Sequence, residues 1–135
     1  MRFVDTSILL YSISSDPVEA AKAAIAMTIL TCDDLGLSVQ VLQEFYAQAT
    51  RPTKPGALSP QDAVAFVSTW LRFPVESMTV PIMQAAFATK ARWQISYWDA
   101  AIIEAARAGG CQEVLSEDLS HQHDYGGVWV TNPFL

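Results

Sequence analysis

Signals for the start of a helix recur along this chain, and between them lie apolar runs too short for anything but strands. Asp16, Pro17 and Glu19 supply an N-cap, a first-turn proline and a first-turn acid, and so open a helix through the alanine-rich "EAAKAAIAMTILTC". Ser59, Pro60 and Asp62 repeat the device ahead of "AVAFVSTWLRF", and Ser38 precedes "VQVLQEFYAQAT", which ends before Pro52. Two further helices are predicted over "VPIMQAAFATKARW" and "SYWDAAIIEAARAGG", the second stopped by Gly109 and Gly110. The intervening runs are "RFV" at 2–4, "LGL" at 35–37, "ESMTV" at 76–80, "EVLS" at 113–116 and "VWV" at 128–130. Apolar runs without period-two alternation mark strands buried on both faces, and their alternation with helices predicts an α/β fold. The expected architecture is a three-layer α/β/α sandwich with a central, mostly parallel sheet, in a single domain spanning residues 1–135.

With 51% apolar residues, the chain can build a core without covalent staples. Cys32 and Cys111 have no metal-type or redox-type spacing and read as free thiols of a reducing cytoplasm. Asp5 interrupts the first apolar run and no small-residue cleavage site follows, so no signal peptide is expected. No run of about twenty apolar residues offers a membrane span. The formal charge of −6, from fourteen acids against eight Lys and Arg, argues against a broad basic surface that coats nucleic acid. An acidic site is the exception, because bound divalent cations invert its local charge.

Asp99 sits at an odd address. Read as a helix, "SYWDAAIIEAA" puts Ile102, Ile103 and Ala106 on the face that carries this carboxylate, and an unpaired carboxylate facing the interior costs several kcal/mol or takes up a proton. Open parallel sheets form their sites beyond the carboxyl ends of the strands. Asp5 follows "RFV" directly, Asp118 lies two residues after "EVLS", Glu44 lies one and a half turns into the helix after the second run, and Asp99 lies in the first turn of its helix. Four carboxylates from four segments can therefore meet at one sheet edge, where they repel unless cations neutralise them. Each also has a plain structural reading. Asp99 makes a capping box with Ser96, Asp5 caps "TSILLYS", Glu44 is a solvated helix residue and Asp118 is a loop acid.

Taken in order over nearly the whole chain, "FVDTSILLY", "VLQEFYAQATRP", "SYWDAAIIEAARAGGC" and "VLSEDLSHQHDYGGVWVTNPF" resemble a PIN domain, specifically the VapC-type toxin ribonucleases of toxin-antitoxin systems. That resemblance implies that Asp5, Glu44, Asp99 and Asp118 bind Mg²⁺ or Mn²⁺, with Thr6 or Ser7 and Ser116 orienting the carboxylates. It further implies hydrolysis of RNA, a homodimer, and an antitoxin whose tail occupies the acidic groove. An all-oxygen donor set suits these hard cations. In this reading Asp5 is the central ligand, Asp99 and Asp118 flank it, and Glu44 is a ligand or the base for the attacking water.

Arg51 and Lys54, in the Pro-rich linker "RPTKPGALSP", are candidate RNA phosphate contacts, as are Lys90 and Arg92. Trp93, Tyr97 and Trp98 offer stacking surfaces near Asp99, although core or dimer contacts are the commoner use of such residues. His121 and His123 read as surface residues of a polar loop rather than a zinc set. A dehalogenase-like phosphatase needs a second Asp where Ser7 stands, and a receiver domain needs an acidic pair and a late Lys that are missing. The remaining alternative is a PIN-like module that binds a protein partner without catalysis, against which stands the presence of all four acids.

Overall fold

The computed structural model describes residues 1–135, in the order β1 (Arg2–Val4), α1 (Thr6–Ser12), α2 (Ala20–Ile29), β2 (Leu35–Ser38), α3 (Val39–Ala49), α4 (Pro60–Trp70), β3 (Val75–Glu76), α5 (Val80–Trp93), α6 (Tyr97–Ala108), β4 (Glu113–Leu115) and β5 (Trp129–Thr131). All five strands pair in parallel, in the order β3-β2-β1-β4-β5. The first strand made is thus the central one, with Phe3 in register with Gly36 on one side and Val114 on the other. Helix α1 packs against both α2 and α3, and α3 against α4, as one group, while α5 packs with α6 as another. The expected sandwich and its parallel sheet are present.

The helix-start signals act as predicted. Asp16, Ser38, Ser59 and Ser96 each accept a first-turn amide. After Asp16 the first turn, Pro17–Glu19, is 3-10 rather than α, and the α-helix proper begins at Ala20. One strand is corrected. The run 76–80 is not a strand: pairing is limited to Val75 and Glu76, while Thr79 caps α5 and Pro81 occupies its first turn. A capping hydroxyl followed by a proline outweighs the β-branched side chains of Thr79 and Val80, because proline cannot donate to a ladder but fits a helix start.

The main core joins the sheet to α1–α4 and α6, and a separate small cluster of Ala86, Ala100 and Ala101 seals α5 against α6. Phe3, Val4, Leu35, Leu37, Val114 and Val130 fill the sheet, while Ile8, Leu9, Val41, Phe45 and Ile103 close on it from the helices. Buried Glu104 on α6 accepts from Thr89 Oγ1 at 2.8 Å and from Arg107 Nε at 3.0 Å. Arg107 donates onward to the Tyr125 and Gly126 carbonyls, both at 2.7 Å, and so ties α6 to the loop before β5. A buried carboxylate with this many donors is satisfied structurally. No helix is long and apolar enough to cross a membrane.

Candidate active site

From β1 the chain steps outward to β2 and β3, then returns to the other side of β1 for β4 and β5. The connections therefore diverge between β1 and β4, and the carboxyl ends of these two strands flank the crevice where open α/β sheets place their sites. Asp5 is the residue after β1, and Asp118 lies on the loop after β4. Glu44 reaches the same edge from α3, and Asp99 from the first turn of α6.

Asp5 is 3% exposed, with Oδ1 accepting from the Thr6 amide at 2.7 Å and Oδ2 from Ser116 Oγ at 2.5 Å. Burial pushes its pKa up to about 6, the two hydrogen bonds pull against that shift, and the charges of Asp118 and Glu44 add to it. Fully buried Ser116 also accepts the amide of Asp118 at 3.1 Å, so one hydroxyl links two of the acids. Thr6 Oγ1 donates to Glu44 Oε2 at 2.8 Å, and Gln40 Nε2 donates to Glu44 Oε1 at 2.7 Å and to the Trp98 carbonyl at 3.1 Å. Ser7 does not touch a carboxylate; its hydroxyl accepts the Glu117 amide at 3.3 Å and steadies the loop that carries Asp118.

Asp99 is half-buried, and its amide donates to Ser96 Oγ at 3.1 Å. Burial raises its pKa, the Ser96 hydroxyl opposes this, and Glu44 adds to the rise. Asp118 is raised by burial and then by Glu117, Asp99 and Glu44. Each of the four predicted acids thus lies within electrostatic reach of at least two of the others, with Glu44 and Asp118 linking Asp5 to Asp99. No three of them are close enough together to chelate one ion as they stand. Both Glu44 oxygens are engaged by neighbours, Oε2 by Thr6 and Oε1 by Gln40. The three ion pairs of the molecule, Arg2–Asp34, Lys22–Glu117 and Arg107–Glu104, leave all four without a cationic partner.

A groove of about 260 Å³ runs along this edge, lined by Thr6, Tyr11, Glu44, Lys54, Glu117 and Asp118 among others. Lys54 belongs to it, whereas Arg51 is exposed outside it. Glu117, beside Asp118, is taken up by Lys22 and by Tyr11, whose hydroxyl donates to it at 2.5 Å. The two histidines have separate structural surroundings. His121 Nδ1 accepts the Asn132 amide at 2.9 Å, and His123 packs against Trp93 and Tyr125. Trp93 is thereby a packing residue, while Trp98 is 63% exposed beside Gln40 and Glu44. Sequence reasoning missed Gln40, Glu117 and Lys22. Only Gln40 carried a local signal, the four-residue helical spacing that sets it beside Glu44.

The family model of the PIN domain matches residues 2–125. The chain belongs to the PIN domain family. Among solved structures, this PIN domain is similar to VapC20 of Mycobacterium tuberculosis, described as a sarcin-ricin-loop-cleaving toxin, with a TM-score of 0.68 and 23% identity over 87% of this chain and 92% of that one. A toxin-antitoxin complex from Klebsiella pneumoniae matches with a TM-score of 0.71 and 16% identity over 98% of each chain. DNA-bound VapBC from Salmonella typhimurium matches with a TM-score of 0.65 and 16% identity over 96% of this PIN domain and 95% of its counterpart. At these identities the likeness is one of fold. No curated protein sequence matches the chain.

Proposed function

We propose that this PIN domain is a metal-dependent endoribonuclease that hydrolyses RNA phosphodiester bonds, and that it is the toxin of a toxin-antitoxin pair. The observation that carries the reading is the set of four carboxylates, drawn from four segments to one sheet edge and left without a cationic partner. Such a set fits Mg²⁺ or Mn²⁺: every donor is an oxygen, and the buried Asp5 lacks only a positive charge to hold it ionised. Asp5, Asp99, Asp118 and Glu44 would hold the ion. Bound there, it supplies an activated water and shields the charge that grows on the phosphoryl group.

The chain's own residues do the rest. Ser116 and the Thr6 amide fix Asp5, and Thr6 with Gln40 fixes Glu44, either as a ligand or as the base for the attacking water. Lys54 is the cation of the groove available to a substrate phosphate. The toxin-antitoxin neighbours support an antitoxin partner, and the acidic groove suits a basic antitoxin tail. A homodimer and a cytoplasmic site of action belong to the same reading.

Incubation of the purified protein with structured RNA is the direct test. Cleavage is expected with Mg²⁺ or Mn²⁺ and is expected to stop in excess chelator. Asp5→Asn should lose most turnover while keeping its circular dichroism spectrum. Undiminished cleavage in chelator would refute the metal mechanism.

A further inference from the structure

The groove does not end at the carboxylates. Its lobe beside Glu44 and Asp118 shares Glu19 and Lys54 with a second lobe of about 530 Å³, walled by Ser14, Ser15 and Asp16 on one side and by Pro55 and Gly56 on the other. Gly56 has φ +72°, and a Cβ placed there would stand 3.5 Å from Ser15 Oγ, so the linker turn closes over the α1–α2 connection at contact distance. A space of this size lies in the range of small-ligand pockets and admits a single extruded nucleotide.

Two groups stand at the junction of the lobes: Lys54, assigned above to a substrate phosphate, and Glu19, which has no role in the chemistry described so far. The half-buried Lys54 ammonium has no ion-pair or hydrogen-bond partner, although carboxylates line the same groove. Glu19 is aimed: Ser14 Oγ accepts the Asp16 amide at 3.2 Å and donates its own proton to Glu19 Oε1 at 2.6 Å, which leaves Oε2 free. In a groove meant for a polyanion, a fixed and unpaired carboxylate is a cost unless the substrate brings it a donor. Phosphate oxygens bring none. The exocyclic amino groups of cytosine, adenine and guanine do, whereas uracil offers only its N3–H, at a different place on the base edge.

We propose that the second lobe is the subsite for a nucleotide flanking the scissile phosphate, with Lys54 on a phosphate and Glu19 accepting from an amino group of the base. This rests on the ribonuclease reading and adds to it a base preference and the residue that sets it. Ser14 is the positioning residue for Glu19.

The test uses the full chain. Cleavage of a random-sequence RNA pool with Mn²⁺ locates the cut, and oligonucleotides varied at each flanking position then give rate ratios. The wild type should favour an amino-bearing base over uracil at one flanking position by roughly 5- to 100-fold, the discrimination of one base-edge contact. Glu19→Ala should bring that ratio close to one, and Ser14→Ala should reduce it, with thermal melts confirming that both variants fold. Lys54→Ala should weaken binding of all the oligonucleotides alike and lower the salt slope by about one, leaving the ratio intact.

An unchanged ratio in Glu19→Ala at every position overturns the proposal. So does a Glu19 effect that disappears on 2′-deoxy substitution rather than on base substitution, since the sugar would then be the donor. If Glu19→Ala keeps the ratio but weakens binding of an oligo-arginine peptide, the lobe takes a basic protein tail and the proposal fails. Fluorescence anisotropy of the same oligonucleotides in chelator separates the two readings. Base-dependent binding that Glu19→Ala erases sustains the subsite even if no RNA is cut, and its absence together with absent cleavage removes both.

Discussion

Asp5 Oδ1 takes the first amide of α1 while Oδ2 takes the Ser116 hydroxyl, so a capping role and a place in the acidic set coexist in one side chain. Its raised pKa gives a linkage prediction. Below the ordinary carboxylate value of 3.8 both folded and unfolded states carry the proton; between there and about 6 the unfolded state ionises first, so stability falls as pH rises. Asp99 and Asp118 shift in the same direction and reinforce the slope. In chelator, Asp5→Asn should gain stability relative to wild type between pH 4 and pH 7, by on the order of 2–3 kcal/mol, as measured by urea melts. Saturating Mn²⁺ should flatten the difference, because the ion favours the ionised carboxylate. The acids were legible in the sequence because each sits just beyond a strand or in the early turns of a helix. Gln40 was signalled only by its helical spacing to Glu44, and Glu117 and the Ser14–Glu19 pair were not legible, since their roles depend on how separate segments and turns fold against one another.

At the scale of elements, the best-read feature is the end of α6. Gly110 has φ +76°, its amide donates to the Arg107 carbonyl, and the Cys111 amide reaches the Ala106 carbonyl at 2.9 Å, which is the Schellman pattern. A Cβ on Gly110 would meet nothing within 4 Å, so the cost of Gly110→Ala is conformational alone and should be about 1 kcal/mol in a thermal or urea melt. The end of α5 is the converse case. Gln94 holds φ 56° with its amide on the Lys90 carbonyl at 2.8 Å, and Gln94→Gly should stabilise the protein by roughly 0.5–1 kcal/mol. Local rules announced the first ending, because two glycines occupy it. The place of the second was also read, since the predicted helix stops at Trp93, but not its left-handed residue, which the tight passage from α5 to α6 imposes on an ordinary side chain. The misread strand at 76–80 has the same origin, a β-branched preference overruled by the helix that follows.

For the whole molecule, the alternation of runs and caps made the parallel sandwich readable, whereas the order of the strands depended on packing that no single segment encodes. A chain with net charge −6 that gathers four unpaired acids at one edge should be stabilised by the cations that relieve them. Mn²⁺ at a hundredfold excess over its dissociation constant should raise the melting temperature by on the order of 10 °C, and that of Asp99→Ala by much less. Equal shifts would reduce Asp99 to a helix-capping residue. The central position of β1 has a consequence in time. Its neighbour on the site side, β4, comes from the far end of the chain, and the Ser116 amide is held in turn by the Thr131 carbonyl at 3.0 Å. At ordinary translation speed, on the order of ten seconds separates the synthesis of Asp5 from that of Asp118. Through that interval the ribosome carries a polypeptide whose proposed nuclease centre lacks the wall that bears Asp118.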